Sequence, residues 1–245
     1  MYAKNTWEKY KDNLNEVMEY NEGYKDYISK NKTERACVKD SIRLAEEKGF
    51  KPLDSFETLK AGDKVYVNNR DKNIALFVIG NKPLTEGMRI LGAHIDSPRM
   101  DLKQNPLYED TQMAYLDTHY YGGVKKYQWV TIPLAIHGVV VKKDGTTIEL
   151  NIGENEDDPV FFISDLLIHL AQEQLEKKAA KVIEGEALDI IIGNRPLTFK
   201  KEEKKEEGTG KDAVKKGILS ILKDTYDMDE EDFISAELEV VPAGK

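Results

Sequence analysis

Apolar residues recur at helical spacing over the first part of this chain. Between residues 6 and 30 most of these spacings are three and four, which place an apolar stripe on one side of a helix. Asn31 and Glu34 have the spacing of a capping box, so a second helix is expected to begin near Asn31. Gly49 is a natural stop for it.

Short β-rich runs follow the two helices. The runs at residues 64–67 and 74–80 flank the turn-forming residues 68–71, and this arrangement predicts a hairpin. A third apolar run, residues 88–93, predicts a short buried strand. Helices followed by strands indicate a mixed α/β fold.

The character of the sequence changes after Lys103 and indicates a separate β-rich domain. Asp144-Gly145 predicts the turn of a second hairpin. The further elements that we expect are strands at residues 129–141, 147–153, 189–193 and 233–241, helices at residues 164–183 and 213–226, and a solvated loop at residues 200–211.

Composition excludes several classes of function. The chain has 245 residues and a formal net charge of −9, which argues against a general nucleic-acid-binding protein. No apolar run approaches the roughly 20 residues of a membrane-spanning helix, so no membrane partner is expected. The first residues lack a signal-peptide pattern, and the single cysteine, Cys37, cannot form an internal disulfide. We therefore expect a cytoplasmic protein.

A His-x-Asp pair ends the apolar run at residues 88–93. In an extended chain His94 and Asp96 share one side, where Pro98 ends the strand. Neutral imidazole binds zinc and similar ions, and a nearby carboxylate can fix its tautomer. By spacing alone, a histidine at a strand end is more often a structural hydrogen-bonding residue.

The surrounding residues resemble those of a known family, the dinuclear zinc aminopeptidases of the aspartyl aminopeptidase and vacuolar aminopeptidase I type. The similar segments occur in the same order along most of the chain: GAHIDSP at residues 92–98, YGG at 121–123, LIHL at 167–170 and SAELEVVPAG at 235–244.

This resemblance implies a zinc-peptidase-like α/β catalytic domain interrupted by a β-rich dimerisation domain. On that pattern, residues 1–105 form the first part of the catalytic domain and residues 106–237 form the dimerisation domain. Residues 238–245 form a strand that returns to the catalytic domain, and the remainder of that domain is absent from the sequence.

The resemblance also implies roles for three residues. His94 matches the metal-binding histidine, and Asp96 matches the catalytic-site carboxylate that orients it. His169 matches a histidine that reaches the active site of a neighbouring subunit and donates a hydrogen bond to the oxyanion there. A site completed in this way requires self-association into a homo-oligomer. The alternative for His169 is a partly buried helix histidine.

The implied activity is that of a metal-dependent aminopeptidase, which releases amino-terminal residues from peptide substrates with zinc-activated water. Two Zn2+ ions per site are expected, and other divalent metals suit the same ligands. Family chains continue for a similar length beyond Lys245 and supply the other ligands, so this chain is expected to be an incomplete and inactive fragment. The alternative is a non-catalytic oligomerisation or peptide-binding module of the same fold.

Other candidate sites are weaker. The sequence has no Gly-x-Ser-x-Gly elbow, no phosphate-binding glycine loop and no His-Glu-x-x-His helix. His119 and His137 flank an aromatic β region, where a second metal site is a minor alternative.

Overall fold

The computed structural model describes residues 5–197, 199–201, 204–206 and 211–244. They form a mixed α/β fold, as expected from the sequence. The chain divides into two compact units, and the division falls between Ser97 and Pro98.

The first unit contains three helices and a small sheet. Its helices are α1 (Thr6–Tyr10), α2 (Leu14–Lys30) and α3 (Glu34–Glu47), and its strands are β1 (Lys51–Pro52), β2 (Lys64–Asn69) and β3 (Asn73–Val78). The sheet order is β1-β2-β3, with β1 parallel to β2 and β2 antiparallel to β3. The predicted helices and the predicted hairpin are therefore confirmed, although the first helical segment is divided into two helices.

The start of α3 differs from the expectation. Thr33, not Asn31, caps the helix, because the Thr33 hydroxyl accepts a hydrogen bond from the Ala36 amide at 3.2 Å. Asn31 instead ends α2, and its side-chain amide donates to Asp40 at 3.0 Å. Two polar residues close together thus serve two different helix ends.

The predicted buried strand at residues 88–93 is wrong. Residues 87–98 have no regular secondary structure, and Leu91 is 101% exposed. A strand needs a neighbour that satisfies its backbone hydrogen bonds. None of the described strands pairs with this segment, so its apolar sequence alone does not make it a strand.

The second unit is built on a six-stranded antiparallel sheet. Its elements are the strands β4 (Arg99–Asp110), β5 (Met113–Tyr121), β6 (Leu134–Val141), β7 (Thr147–Ile152), β8 (Ile190–Gly193), β9 (Phe199–Lys201), β10 (Lys204–Glu206) and β11 (Ala236–Pro242), and the helices α4 (Gln172–Leu175) and α5 (Ala213–Tyr226). The sheet order is β7-β6-β11-β4-β5-β8, and β9 pairs with β10 in a separate hairpin.

Alternation along the strands gives this sheet two different faces. Met100 on β4 and Val240 on β11 are fully buried in the apolar core, together with Val214 of α5 and Phe233 of the 3₁₀ helix Glu230–Ser235. The opposite face carries charged residues on the same two strands. The core of the unit therefore lies on one side of the sheet.

The compact units divide the chain between Ser97 and Pro98, and the functional domain boundaries expected at 105/106 and 237/238 stay predictions. Strand β4 runs without interruption across the first of these boundaries. Strand β11, expected to return to a catalytic domain, lies in the middle of the second unit's sheet, between β6 and β4. Pairing between residues far apart in sequence sets the limits of the compact units, and the local change in composition after Lys103 does not reveal it.

The predicted helix at residues 164–183 is also wrong, because short turns replace it. They are the 3₁₀ helices Ile168–Leu170 and Ala179–Lys181, with α4 between them. Leucines of its expected apolar stripe, including Leu167 and Leu175, are exposed. A helix of this kind gains most of its stability by packing its apolar face, and these leucines remain in solvent.

The other expectations for the second unit are largely confirmed. The hairpin β6–β7, strand β8, helix α5 and a final strand are present. The loop expected at residues 200–211 contains parts of β9 and β10, and residues 202, 203 and 207–210 lie outside the described residues. Within the described part of the chain, no helix has the length and apolar character needed to cross a membrane.

Candidate metal-binding site

His94 and Asp96 form a local pair at the end of the first unit. The His94 Nδ1 atom lies 2.9 Å from the backbone carbonyl oxygen of Asp96 and 3.2 Å from its carboxylate Oδ1. Both of these oxygens are acceptors, so in the neutral imidazole Nδ1 carries the hydrogen and Nε2 carries the lone pair. A metal ion would therefore bind at Nε2.

The imidazole is accessible, and the backbone beside it lies close to helix α3. The side chain of His94 is 84% exposed. The buried thiol of Cys37 on α3 lies 3.9 Å from the carbonyl oxygen of Ile95, the residue between the pair. The structure thus brings two of the predicted site residues together on an irregular segment and not at the end of a strand.

The chemistry of this pair fits one zinc ligand but not a complete zinc site. A zinc-binding histidine commonly donates its other ring N–H to a carboxylate or a carbonyl, as His94 does. Structural and catalytic zinc sites need at least three protein ligands. The described residues contain no group of three or more His, Cys, Asp or Glu side chains that could hold a metal.

His169, the third predicted site residue, belongs to the second unit. It lies in the 3₁₀ helix Ile168–Leu170 and is exposed, with exposed apolar neighbours on both sides. The partly buried helix position, which was the alternative for His169, is therefore not what the structure has. Its role in a neighbouring subunit stays a prediction.

The two remaining histidines pair with separate carboxylates. His119 Nδ1 lies 2.9 Å from Glu186 Oε1, and His137 Nε2 lies 2.8 Å from Glu154 Oε1. Neither pair belongs to a metal-binding group within the described residues. The structure gives no support to the minor alternative of a second metal site there.

Sequence reasoning missed a buried charged cluster on β4 and β11. Arg99 Nε lies 2.8 Å from Asp101 Oδ1 and 3.3 Å from Glu239 Oε2. The alternation of charged and apolar residues in RMDLK at residues 99–103, and in ELEV at 237–240, was the available signal. Such alternation predicts a polar sheet face, and charges on neighbouring strands of that face can pair.

Asp189 is a second missed polar centre. It accepts hydrogen bonds from the Tyr108 hydroxyl at 2.6 Å and from the Thr118 amide at 3.3 Å. Burial raises the pKa of Asp189 above its usual value, and these two hydrogen bonds oppose that shift. Burial and the contact with Asp189 also raise the pKa of Tyr108.

Comparisons of this chain with known proteins all point to one family. The family model described as aminopeptidase I zinc metalloprotease (M18) matches residues 27–245. A probable M18 family aminopeptidase 1 of Clostridium acetobutylicum is 58% identical over 99% of this chain, and the match covers 51% of the relative. This chain thus spans about half the length of the curated relatives that it matches.

Solved structures agree with this result. The M18 family aminopeptidase of Thermotoga maritima has a TM-score of 0.88 and 46% identity, over 99% of this chain and 51% of that one. The mApe1 dodecamer of S. cerevisiae shares the fold, with a TM-score of 0.58 and 20% identity over 89% of this chain and 46% of that one. With a family model that matches most of its residues, this chain belongs to the M18 family of aminopeptidase I zinc metalloproteases.

Proposed function

We propose that this chain is the amino-terminal half of a zinc-dependent aminopeptidase, which releases amino-terminal residues from peptides. The observation that carries the proposal is the His94–Asp96 pair, in which Nδ1 is hydrogen-bonded and Nε2 remains for a metal. The family relationship supports zinc as that metal.

Each residue of the pair has a distinct role in this proposal. His94 binds one zinc ion through Nε2, and Asp96 holds the imidazole in the required tautomer. Zinc, when bound, lowers the pKa of its water and polarises the peptide carbonyl. We propose two ions per site, with the other ligands and the general base supplied by residues outside this chain.

We further propose that His169 completes the active site of a neighbouring copy. Its exposed position supports this role, since a side chain that acts in another subunit must be accessible in its own. The yeast relative described as a dodecamer supports self-association as a family property. We also keep the cytoplasmic location as a proposal.

Hydrolysis of aminoacyl chromogenic substrates tests the proposed activity. The assay uses an extended protein, in which this chain is joined to the carboxyl-terminal half of the 58% identical Clostridium acetobutylicum relative. We expect activity that a chelator removes and that zinc restores. The substitution His94→Ala should abolish turnover and lower the zinc content below two ions per site, whereas the control His119→Ala should leave both unchanged. Activity that resists the chelator would contradict the zinc mechanism.

Subunit mixing tests the shared site. Subunits carrying His169→Ala should be inactive, and so should subunits carrying His94→Ala. If His169 acts in its neighbour, mixed oligomers of the two should recover part of the activity. Absence of any recovery would count against a shared site.

The second candidate is a non-catalytic oligomerisation or peptide-binding module. The absence of a three-residue metal-binding group among the described residues favours it for this chain by itself. Zinc content separates the two candidates, because the module would bind no stoichiometric zinc even in the extended protein. An extended protein with bound zinc and turnover would exclude the module.

A further inference from the structure

The strands that begin and end the second unit lie side by side. β4 and β11 pair antiparallel, with Met100 opposite Val240 and Asp101 opposite Glu239. The first residues of β4 therefore lie next to the last residues of β11. The chain enters and leaves this unit at neighbouring points of one sheet.

No local feature sets the register of this strand pair. β4 and β5 form a hairpin, and so do β6 and β7, so a turn limits how each of those pairs can align. β4 and β11 are separated by most of the second unit and share no turn. Only two residue pairs of the described chain join them, so contacts between their side chains carry much of this alignment.

The buried ion pair between Arg99 and Glu239 joins these two strands. Arg99 is 7% exposed and Glu239 is 2% exposed. The Arg99 guanidinium also bonds to Asp101 and lies over the Tyr121 ring, 4.2 Å from its centroid. These groups occupy the sheet face opposite the apolar core.

A shift of one residue between the strands would disrupt both faces. It would move Glu239 away from the guanidinium and would place the apolar core residue Val240 opposite Arg99 or Asp101, depending on the direction of the shift. Burial of an unpaired charge is costly, whereas a buried ion pair stabilises little compared with apolar residues of the same size. The pair therefore discriminates between registers more than it adds stability.

The end of β11 is tied to the same row of residues. His137 lies opposite Glu239 on the neighbouring strand β6, and its Nε2 lies 2.8 Å from Glu154 Oε1. The other carboxylate oxygen of Glu154 accepts a hydrogen bond from the Gly244 amide at 3.2 Å. The chain just after β11 is thus held by Glu154, whose partner His137 lies opposite Glu239.

We propose that Arg99 is a positioning residue, whose pairing with Glu239 selects the register of β4 against β11. The register fixes the position in the sheet of the first residues of β4, which follow the His94–Asp96 pair in the chain, and of the last residues of β11. The link to catalysis rests on the proposed function, in which His94 binds zinc.

The decisive variant replaces both charges, because removal of one alone would leave the other buried and the unit could unfold. The double substitution Arg99→Met/Glu239→Leu should keep the urea midpoint of the 245-residue chain. Its NMR spectrum should lose the single set of cross-strand contacts between β4 and β11 or should show a second set. Arg99→Lys loses the stacking on Tyr121 but keeps a cation within reach of Glu239, so it should retain the wild-type register.

The control is Arg43→Met, which removes an exposed arginine that pairs with Asp40 and Glu47 on α3. It should leave the register unchanged. A double variant that keeps one wild-type register would overturn the proposal.

The extended protein tests the consequence for the site. In the extended protein, the kcat of the double variant should fall on the order of 100-fold, because a small misplacement of reacting groups lowers the rate by about this factor. The single variant Arg99→Lys should keep most of the wild-type kcat, and Arg43→Met should leave kcat unchanged. A shifted register with wild-type kcat would overturn the positioning role. If the wild-type extended protein shows no chelator-sensitive activity, the proposed function falls and the register measurement alone decides the role of Arg99.

Discussion

Gly138 on β6 lies directly against the backbone carbonyl oxygen of Glu237 on β11. A β-carbon at position 138 would lie 1.9 Å from that oxygen, and the φ angle of Gly138 is +144°. We therefore predict that Gly138→Ala lowers the free energy of unfolding by about 3 kcal/mol, through overpacking and backbone strain. Urea denaturation measures this effect.

The control for this prediction is Gly23→Ala. Gly23 lies in α2, where an added β-carbon meets nothing within 4 Å. Because alanine favours the helix, this substitution should raise stability by about 0.5–1 kcal/mol. Equal effects at the two positions would refute the close approach of β6 and β11.

The carboxylate of Asp96 should contribute only part of the support for His94. Asp96→Ala removes the Oδ1 contact but leaves the backbone carbonyl at 2.9 Å. We predict that zinc affinity of the extended protein falls about 10-fold, less than after His94→Ala. Competition with a chromogenic chelator measures the affinity. The control Asp12→Ala, on an exposed loop residue, should have no effect, and an Asp96→Ala protein with the same affinity as the control would exclude the carboxylate from this role.

Asp189 should make stability depend on pH in an unusual direction for a carboxylate. Burial raises its folded-state pKa above the usual 3.8, so the folded protein binds the proton more tightly than the unfolded chain does. Its contribution to the free energy of unfolding therefore falls as the pH rises from about 3.8 through the folded-state pKa.

The substitution Asp189→Asn isolates this contribution. We predict that the stability of the wild type relative to Asp189→Asn decreases between pH 3.5 and pH 7, as measured by urea denaturation at each pH. A difference that stays constant or increases with pH would contradict a raised pKa. Asp144→Asn is a control of opposite sign, because a hydrogen bond from the Thr146 amide lowers the pKa of Asp144.

Strand β3 should promote association of the 245-residue chain. It carries the continuous apolar run Ile74-Ala75-Leu76-Phe77-Val78 at the edge of its sheet, and Val78 is 64% exposed. Exposed apolar edge strands pair with other chains, and a lysine on such an edge prevents this. We predict that Val78→Lys reduces concentration-dependent association in sedimentation velocity.

The matched control is Val141→Lys, at the exposed end of β6 in the other unit. It should leave this association largely unchanged. If both lysine substitutions reduced association equally, β3 would not be the surface responsible.

Local patterns in the sequence predicted the elements that local interactions determine. Helical spacing identified α2, α3 and α5, and turn residues identified the β2–β3 and β6–β7 hairpins. The expected strand at residues 88–93 and helix at 164–183 failed for one physical reason. Their apolar residues need packing partners distant in sequence. Among the described residues, Leu91 and Leu167 have no such packing and are exposed.

The candidate site was predictable only in part. The spacing of His94 and Asp96 indicated that they would lie together, and their distances confirm it. The tautomer of His94 depends on a backbone carbonyl, whose position no sequence pattern reveals. The ion pair of Arg99 with Glu239 depends on strand alignment across most of the second unit, so neither residue could be paired from sequence alone.

The adjacent placement of β4 and β11 bears on how such a chain can arise. A unit whose first and last strands are neighbours can be inserted into a loop of a host domain without forcing the ends of that loop apart. The six-stranded sheet from Pro98 to Gly244 has this property, since Met100 and Val240 face each other across one strand pair. Insertions and deletions in the loops far from β4 and β11 would then change the surface of the unit. The distance between the two ends of the host loop would stay the same.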